Sequence, residues 1–248
     1  AWIYERLLAH GALTNARHAA GLARLGLASF ELVERLAATS DPESAKLAAD
    51  CHRPLEEVLD RWAASDGLVL DADAHITGRD ATETVIALLD DAYDMEGLHA
   101  SLLAVAAAQA RETGIAVGAE EAGLARLVTL IDQERATTQS ARHLLRERLD
   151  HLGHHPARVH AAETFAALRT TAMGEHLRGY KLARDMRDLL AADELATTTY
   201  RLLERAAQRA HDDATADLAK RVHAGEHITD RQLASELGAA LQITLLAE

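Results

Sequence analysis

A single cysteine, Cys51, stands in a chain of 248 residues. It can form no intrachain disulfide and no thiolate zinc cluster, so the expected setting is the reducing cytoplasm. Cys51 sits between Asp50 and His52 with no third group to orient it, which argues against a nucleophile. Prolines number three and aromatics make up 3% of the residues. β-branched runs bounded by turn signals are nearly absent, which excludes a sheet-based fold. No apolar run approaches the roughly 18 residues that span a bilayer. No signal peptide is visible; the chain begins at Ala1 rather than Met, which is compatible with a trimmed start. Basic residues are scarce, with Lys plus Arg at 26 against 39 for Asp plus Glu and a net charge of −13. A surface of that sign repels phosphates, which argues against nucleic acid and anionic membrane as partners, and it attracts cations. Gly-rich phosphate loops, G-x-S-x-G and H-E-x-x-H are all missing.

What is present is helix-forming. Ala, Leu, Glu and Arg dominate, and 48% of the residues are hydrophobic, enough for a sizeable core. The expected fold is all-α. Residues 2–37 read as one helix with Gly11, Gly21 and Gly26 as kink points. Ser40-Asp41-Pro42-Glu43 reads as a capping box that starts a second helix ending near Ala64. Its expected buried residues are Leu47, Leu55, Val58, Leu59 and Trp62. These two helices make an N-terminal hairpin over residues 1–64, followed by a linker at 65–81. The linker holds Asp71, Asp73 and His75 but lacks the glycine and the terminal Glu of a calcium loop.

Residues 82–248 read as a four-helix bundle with helices at about 82–112, 120–152, 193–209 and 213–241. The first and last connections are short, and a helical stretch at about 157–190 separates the middle pair. A short, long, short pattern is the connectivity of a ferritin-like bundle, with one crossover running the length of the molecule.

The first bundle helix carries Val85, Leu89, Ala92, Glu96, His99, Leu103 and Ala106 at alternating spacings of four and three, one buried stripe. Glu96 and His99 form E-x-x-H on that stripe. A Glu there costs several kcal/mol unless it is paired or bound to a metal. The second helix places Glu134 between Ile131 and Thr138 on a stripe from Leu127 to Leu152. The fourth places Glu226 between Val222 and Leu233, with His223 and Asp230 one turn to either side. In the third helix the acid is Asp193 or Glu194, near its start, with Tyr200 further along. Carboxylates from four facing helices are how such a bundle holds two Fe or Mn ions, with one Glu from each of two helices and Glu-x-x-His from each of the other two. Here the residues three after Glu134 and Glu226 are Thr137 and Thr229, and a hydroxyl is a poor ligand. The competing reading of each acid is a rim salt bridge to a snorkelling Arg or Lys. His154-His155, His160-x-x-Glu163 and Glu175-His176 read as solvated.

The wording of two helices is also familiar. Leu88-Leu89-Asp90-Asp91-Ala92-Tyr93-Asp94-Met95-Glu96 resembles the opening L-x-D-x-Y-x-x-E of the ferritin-like YciE/YciF stress-protein family. Glu226-His227-Ile228-Thr229-Asp230-Arg231-Gln232-Leu233 is similar to that family's last helix, E-x-x-T/A-D-x-x-L. The resemblance covers about residues 84–242. It implies a ferritin-like bundle, usually a homodimer, linked to stress responses and without an established reaction. It matches Glu96 and Glu226 to the family's acids, and Glu134 or Gln133 to a third. The family's second-helix His falls at Thr137 or Thr138, and its third-helix acid is shifted or lost. The expected function is therefore a stress-associated bundle with a partial or degenerate di-metal site. The alternatives are a di-iron or di-manganese oxidoreductase, with Glu96, Glu134 and Glu226 as ligands, His99 as a ligand or its neighbour, and Tyr200 close by, or a metal-free module binding a protein partner through the N-terminal hairpin.

Overall fold

The computed structural model describes residues 13–38, 41–65, 81–117, 122–156 and 181–225, together with 232, 233, 235 and 236. Six helices account for nearly all of them: α1 (Leu13–Ala37), α2 (Pro42–Ser65), α3 (Ala81–Val117), α4 (Ala122–His151), α5 (Lys181–Arg209) and α6 (213–225). No strand occurs among the described residues. The fold is an all-α bundle of α3–α6 with an N-terminal helical pair.

Helix directions follow from which residues share a core. One apolar cluster gathers Leu88, Leu89 and Ala92 of α3, Leu145 and Leu149 of α4, Leu202 to Ala207 of α5, and Ala216 to Val222 of α6. A second gathers Leu103 to Ala110 of α3, Leu127 and Ile131 of α4, and Leu182 to Leu190 of α5. The early part of α3 thus lies at the same end as the late parts of α4 and α5 and the start of α6. Helices α4 and α5 run parallel to each other, and α3 and α6 run opposite to them. The chain leaves α4 at one end of the bundle and enters α5 at the other, so one long crossover joins them. The crossover residues 157–180 lie outside the described residues.

The ends of the helices have local causes. Gly153, at φ 72°, closes α4, with Gly153 N–H bonding Asp150 O and His154 N–H bonding Leu149 O. The same pair of bonds ends α5, where His211 and Asp212 reach Gln208 O and Ala207 O. There the left-handed position is held by His211, at φ 55°. Asp212 then caps α6, accepting from the Thr215 backbone N–H at 3.0 Å.

Helix α1 packs along α5, and α2 packs on α1. Leu25 of α1 shares a small core with Met95, Ala191, Ala192 and Leu195, and Leu32 joins the second bundle cluster. Between Met186 and Asp193 every side chain of α5 is buried. A helix flanked by α1 on one side and by the bundle on the other has no solvent face there.

Several boundaries differ from the sequence expectation. Helix α3 runs through Gly114 to Val117, where a turn was expected. Helix α5 begins at Lys181, a dozen residues before the expected start, so Asp193 and Glu194 lie mid-helix rather than near its N-terminus. Gly21 and Gly26 lie within α1 without interrupting it, while Gly11 lies outside the described residues. The cap of α2 is Asp41, whose carboxylate accepts from the Ser44 N–H and hydroxyl. The box expected between Ser40 and Glu43 involves Ser40, which lies outside the described residues. Leu47, expected in the core of the hairpin, is 65% exposed. Leu55 is buried against Ala23 and Leu27, with Leu59 packed beside it. Val58 is half-buried, and the side chain of Trp62 and the linker residues 66–80 lie outside what is described.

Candidate functional site

Between the two large apolar clusters lies a layer in which buried polar residues stand beside the small core of Leu25, Met95, Ala191, Ala192 and Leu195. On α3 the layer holds Glu96 and His99, between Ala92 and Leu103. On α4 it holds Glu134 and Thr138, between Ile131 and Ala141. On α5 it spans Ala191 to Thr199, with Tyr200 at its edge. Glu96, His99, Glu134 and Thr138 have no solvent exposure, and Tyr200 has almost none. The stripe spacing that puts Leu89 and Leu103 in the core puts Glu96 and His99 there too, because all four share one helix face.

Tyr200 donates its phenolic O–H to Glu96 Oε1 at 2.5 Å. The contact is at the short end of the range for an O–H···O bond. It ties α5 to α3 at the centre of the bundle. One turn along α3, His99 is fully buried, and neither Nδ1 nor Nε2 makes a hydrogen bond. Burial pushes its imidazole down to about 4. The ring is therefore neutral at pH 7 and carries a lone pair. The Thr138 hydroxyl is likewise buried without a hydrogen bond. Tyr93 and Arg142 stand beside the layer, with the guanidinium 4.5 Å from the ring centroid, a cation–π contact. Gly97 gives Arg142 room: a Cβ at Gly97 would lie 3.4 Å from the guanidinium carbon.

Of the acids expected on α5, Asp193 is buried within the layer, while Glu194 is only half-buried. His223 is half-buried on α6. Glu226 and Asp230 lie outside the described residues. Among the described residues, no group of three or more His, Cys, Asp or Glu side chains is placed to hold a metal ion. The structure therefore brings Glu96 and Tyr200 into contact and buries His99, Glu134 and Thr138 at the same depth, without assembling a two-ion cluster from them.

One buried charged feature has no counterpart in the sequence reading. Arg187 is fully buried, and its Nε and Nη2 donate to Asp188 Oδ1 at 3.0 and 2.6 Å. Adjacent residues neutralise each other here, which lets a charged stretch of α5 enter the core. The sequence offered only the juxtaposition Arg-Asp as a signal.

Comparison of the chain with family models, with curated proteins and with solved structures returns no match.

Proposed function

We propose that the protein is a ferritin-like bundle of the YciE/YciF stress-protein kind whose interior keeps a partial di-metal site. The observation that carries this reading is the polar layer itself. Glu96, His99 and Glu134 are fully buried midway along a bundle whose α4–α5 connection is a single crossover. A bundle held only by packing gains nothing from such groups. A buried imidazole with two unbonded nitrogens is costly as an ordinary core residue and reasonable as a ligand. The site is partial because the second and fourth helices lack the His that a full set requires, and because no group of three ligands forms among the described residues.

The reading includes no assigned reaction. It carries a homodimer and a protein contact through the α1–α2 hairpin as further expectations, which sedimentation and crosslinking test. The test of the central idea is elemental analysis of freshly purified protein, followed by thermal unfolding with added Fe²⁺ or Mn²⁺. Bound metal that is lost in Glu96→Ala supports the reading. Metal-free protein whose melting temperature ignores both ions would sink it.

A further inference from the structure

Helix α2 carries more apolar surface than α1 covers. Leu55 is buried against Ala23 and Leu27 of α1, with Leu59 beside it, and Ala48 is buried on the same side. A second apolar row runs next to that side: Leu47, Cys51, Pro54 and Val58, at spacings of four, three and four. Leu47 is 65% exposed, Cys51 and Pro54 are exposed, and Val58 is half-buried. Helix α2 packs chiefly on α1, and this row lies on the outer surface of the hairpin.

One position before each member of the row stands a charge: Lys46, Asp50, Arg53 and Glu57, all exposed. They form a neighbouring row, farther round the helix from α1, whose signs alternate. Both rows are self-complementary when reversed about a point near His52. Lys46 then falls opposite Glu57 and Asp50 opposite Arg53, while Leu47 falls opposite Val58 and Cys51 opposite Pro54. A two-fold axis across a helix pair makes this reversal, and it sets each flank of one copy against the same flank of the other. An unrelated helix would have to supply the matching signs at the matching spacing, whereas a second copy of α2 supplies them by symmetry.

We propose that two copies of this chain pair through α2, antiparallel, about a two-fold axis near His52. The line of contact runs between the apolar and the charged rows, which keeps α1 and the bundle of each copy behind its own α2. The apolar rows cover each other, and the charges set the direction and register of the pair. From Leu47 to Val58 the row is about 17 Å long at 1.5 Å per residue. That is short for an obligate interface, so dilution reverses the dimer. The proposal rests on the expectation of a homodimer and of a contact through the hairpin, and it is independent of any metal in the bundle.

The test is sedimentation of the full chain over a range of concentrations, with circular dichroism on every variant. The expected result is a reversible monomer–dimer equilibrium. Leu47→Glu, at an exposed position, raises the dimer dissociation constant at least about tenfold. Asp50→Arg sets like charges across the axis and weakens the dimer, and adding Arg53→Asp restores opposite signs and recovers most of the loss. Cys51 is the one cysteine of the chain, and antiparallel pairing brings its two copies within roughly 10 Å. A short bis-maleimide should therefore join two chains there, and Leu47→Glu should suppress the product. If Leu47→Glu does not fold, the charge exchange and the crosslink decide. A dimer that ignores Leu47→Glu and yields no Cys51 crosslink overturns the α2 contact and leaves the homodimer expectation standing. Failure of Arg53→Asp to recover the loss from Asp50→Arg overturns the antiparallel register. A chain that stays monomeric at every concentration, including one that binds a different protein through this face, overturns both the proposal and the homodimer expectation.

Discussion

Tyr200 on α5 and Glu96 on α3 are joined by a hydrogen bond 104 residues apart in sequence and 2.5 Å long, inside a core that water does not reach. A hydrogen bond in such a place is worth more than a surface contact, and removing its donor leaves a buried acceptor with one partner fewer. Tyr200→Phe should therefore destabilise the metal-free protein by about 1–3 kcal/mol. For a chain of this size that lowers the melting temperature by roughly 2–4 °C per kcal/mol. In a Glu96→Gln background the same change should cost measurably less, because the partner is no longer a carboxylate. Equal costs in the two backgrounds would mean that the pair is not coupled.

His99 gives the fold a pH dependence whose sign is fixed by burial. Its folded-state value is pushed down to about 4 from an ordinary 6.5. Between those values the unfolded chain takes up a proton that the folded chain refuses. Stability is therefore full above about pH 6.5, falls as the pH drops toward 4, and levels off below. The slope should approach about 1.4 kcal/mol per pH unit, with a total loss of up to about 3 kcal/mol. Urea unfolding of metal-free protein at a series of pH values checks this. Carboxylates contribute their own slope, so the informative quantity is the difference from folded His99→Gln, which should be flatter across pH 4–6.5.

The α5–α6 turn is pinned to α4 by three side chains. Arg148 donates to Asp212 Oδ1 and to Thr215 Oγ1, each at 2.7 Å, and the Thr215 hydroxyl donates to Asp212 Oδ2 at 2.6 Å. Burial acts to raise the Asp212 carboxyl, but the hydrogen bonds from Arg148 and Thr215 and the charge of Arg148 outweigh it and hold it below the usual carboxylate value. A carboxyl held down in the folded state stabilises above its unfolded value, near 4, and that contribution is lost as pH falls below it. Asp212→Ala removes a helix cap and a partner of Arg148 together, and should cost about 1–2 kcal/mol at pH 7. Amide exchange at 213–216 should quicken with it, and the variant should approach the parent in stability at acid pH.

These groups differ in how far the sequence alone reveals them. The stripes on α3 and α4 were legible: the expected residues from Val85 to Ala106 and from Leu127 to Leu149 are buried as their spacing requires, with Glu96, His99 and Glu134 among them, while Leu152 at the end of the α4 stripe is half-buried. A single buried face leaves a clean period. Residues 181–190 were expected to be helical, but as the end of a separate stretch; that they run on into α5 was not legible, because the helix is flanked on two sides and buried all round between Met186 and Asp193. Nothing in the order of Arg184, Asp185, Arg187 and Asp188 shows that Arg187 and Asp188 pair inside the core. Tyr200 was expected close to the acids of the site, and the structure adds which of them it bonds, Glu96. Which acid it meets depends on the register between α3 and α5, which no spacing within either helix encodes. Leu47 failed in the opposite sense: it has the spacing of a buried residue on a helix that packs only narrowly against α1.

Two helical glycines make opposite predictions from the same substitution. Replacing Gly by Ala in a helix gains about 1 kcal/mol from backbone propensity. At Gly97 an added Cβ would lie 3.4 Å from the Arg142 guanidinium, an ordinary contact with the mobile end of a long side chain, so most of that gain should survive. At Gly21 the Cβ would lie 2.7 Å from Cγ and Cδ2 of Leu195, which is buried between α1 and α5. That overlap involves the branch of a packed side chain, and relieving it means moving Leu195 off its rotamer or pushing α1 away from α5. Overpacking of this kind costs about 1–3 kcal/mol, which offsets the propensity gain and at most sites exceeds it. Gly97→Ala should therefore raise the unfolding midpoint in urea while Gly21→Ala lowers it. If Gly21→Ala stabilises the protein as much as Gly97→Ala, then α1 does not seat against α5 as closely as Leu195 indicates. Restoring space with Leu195→Ala in the Gly21→Ala background should then recover nothing, whereas a true steric clash predicts that the paired change costs less than the sum of the two.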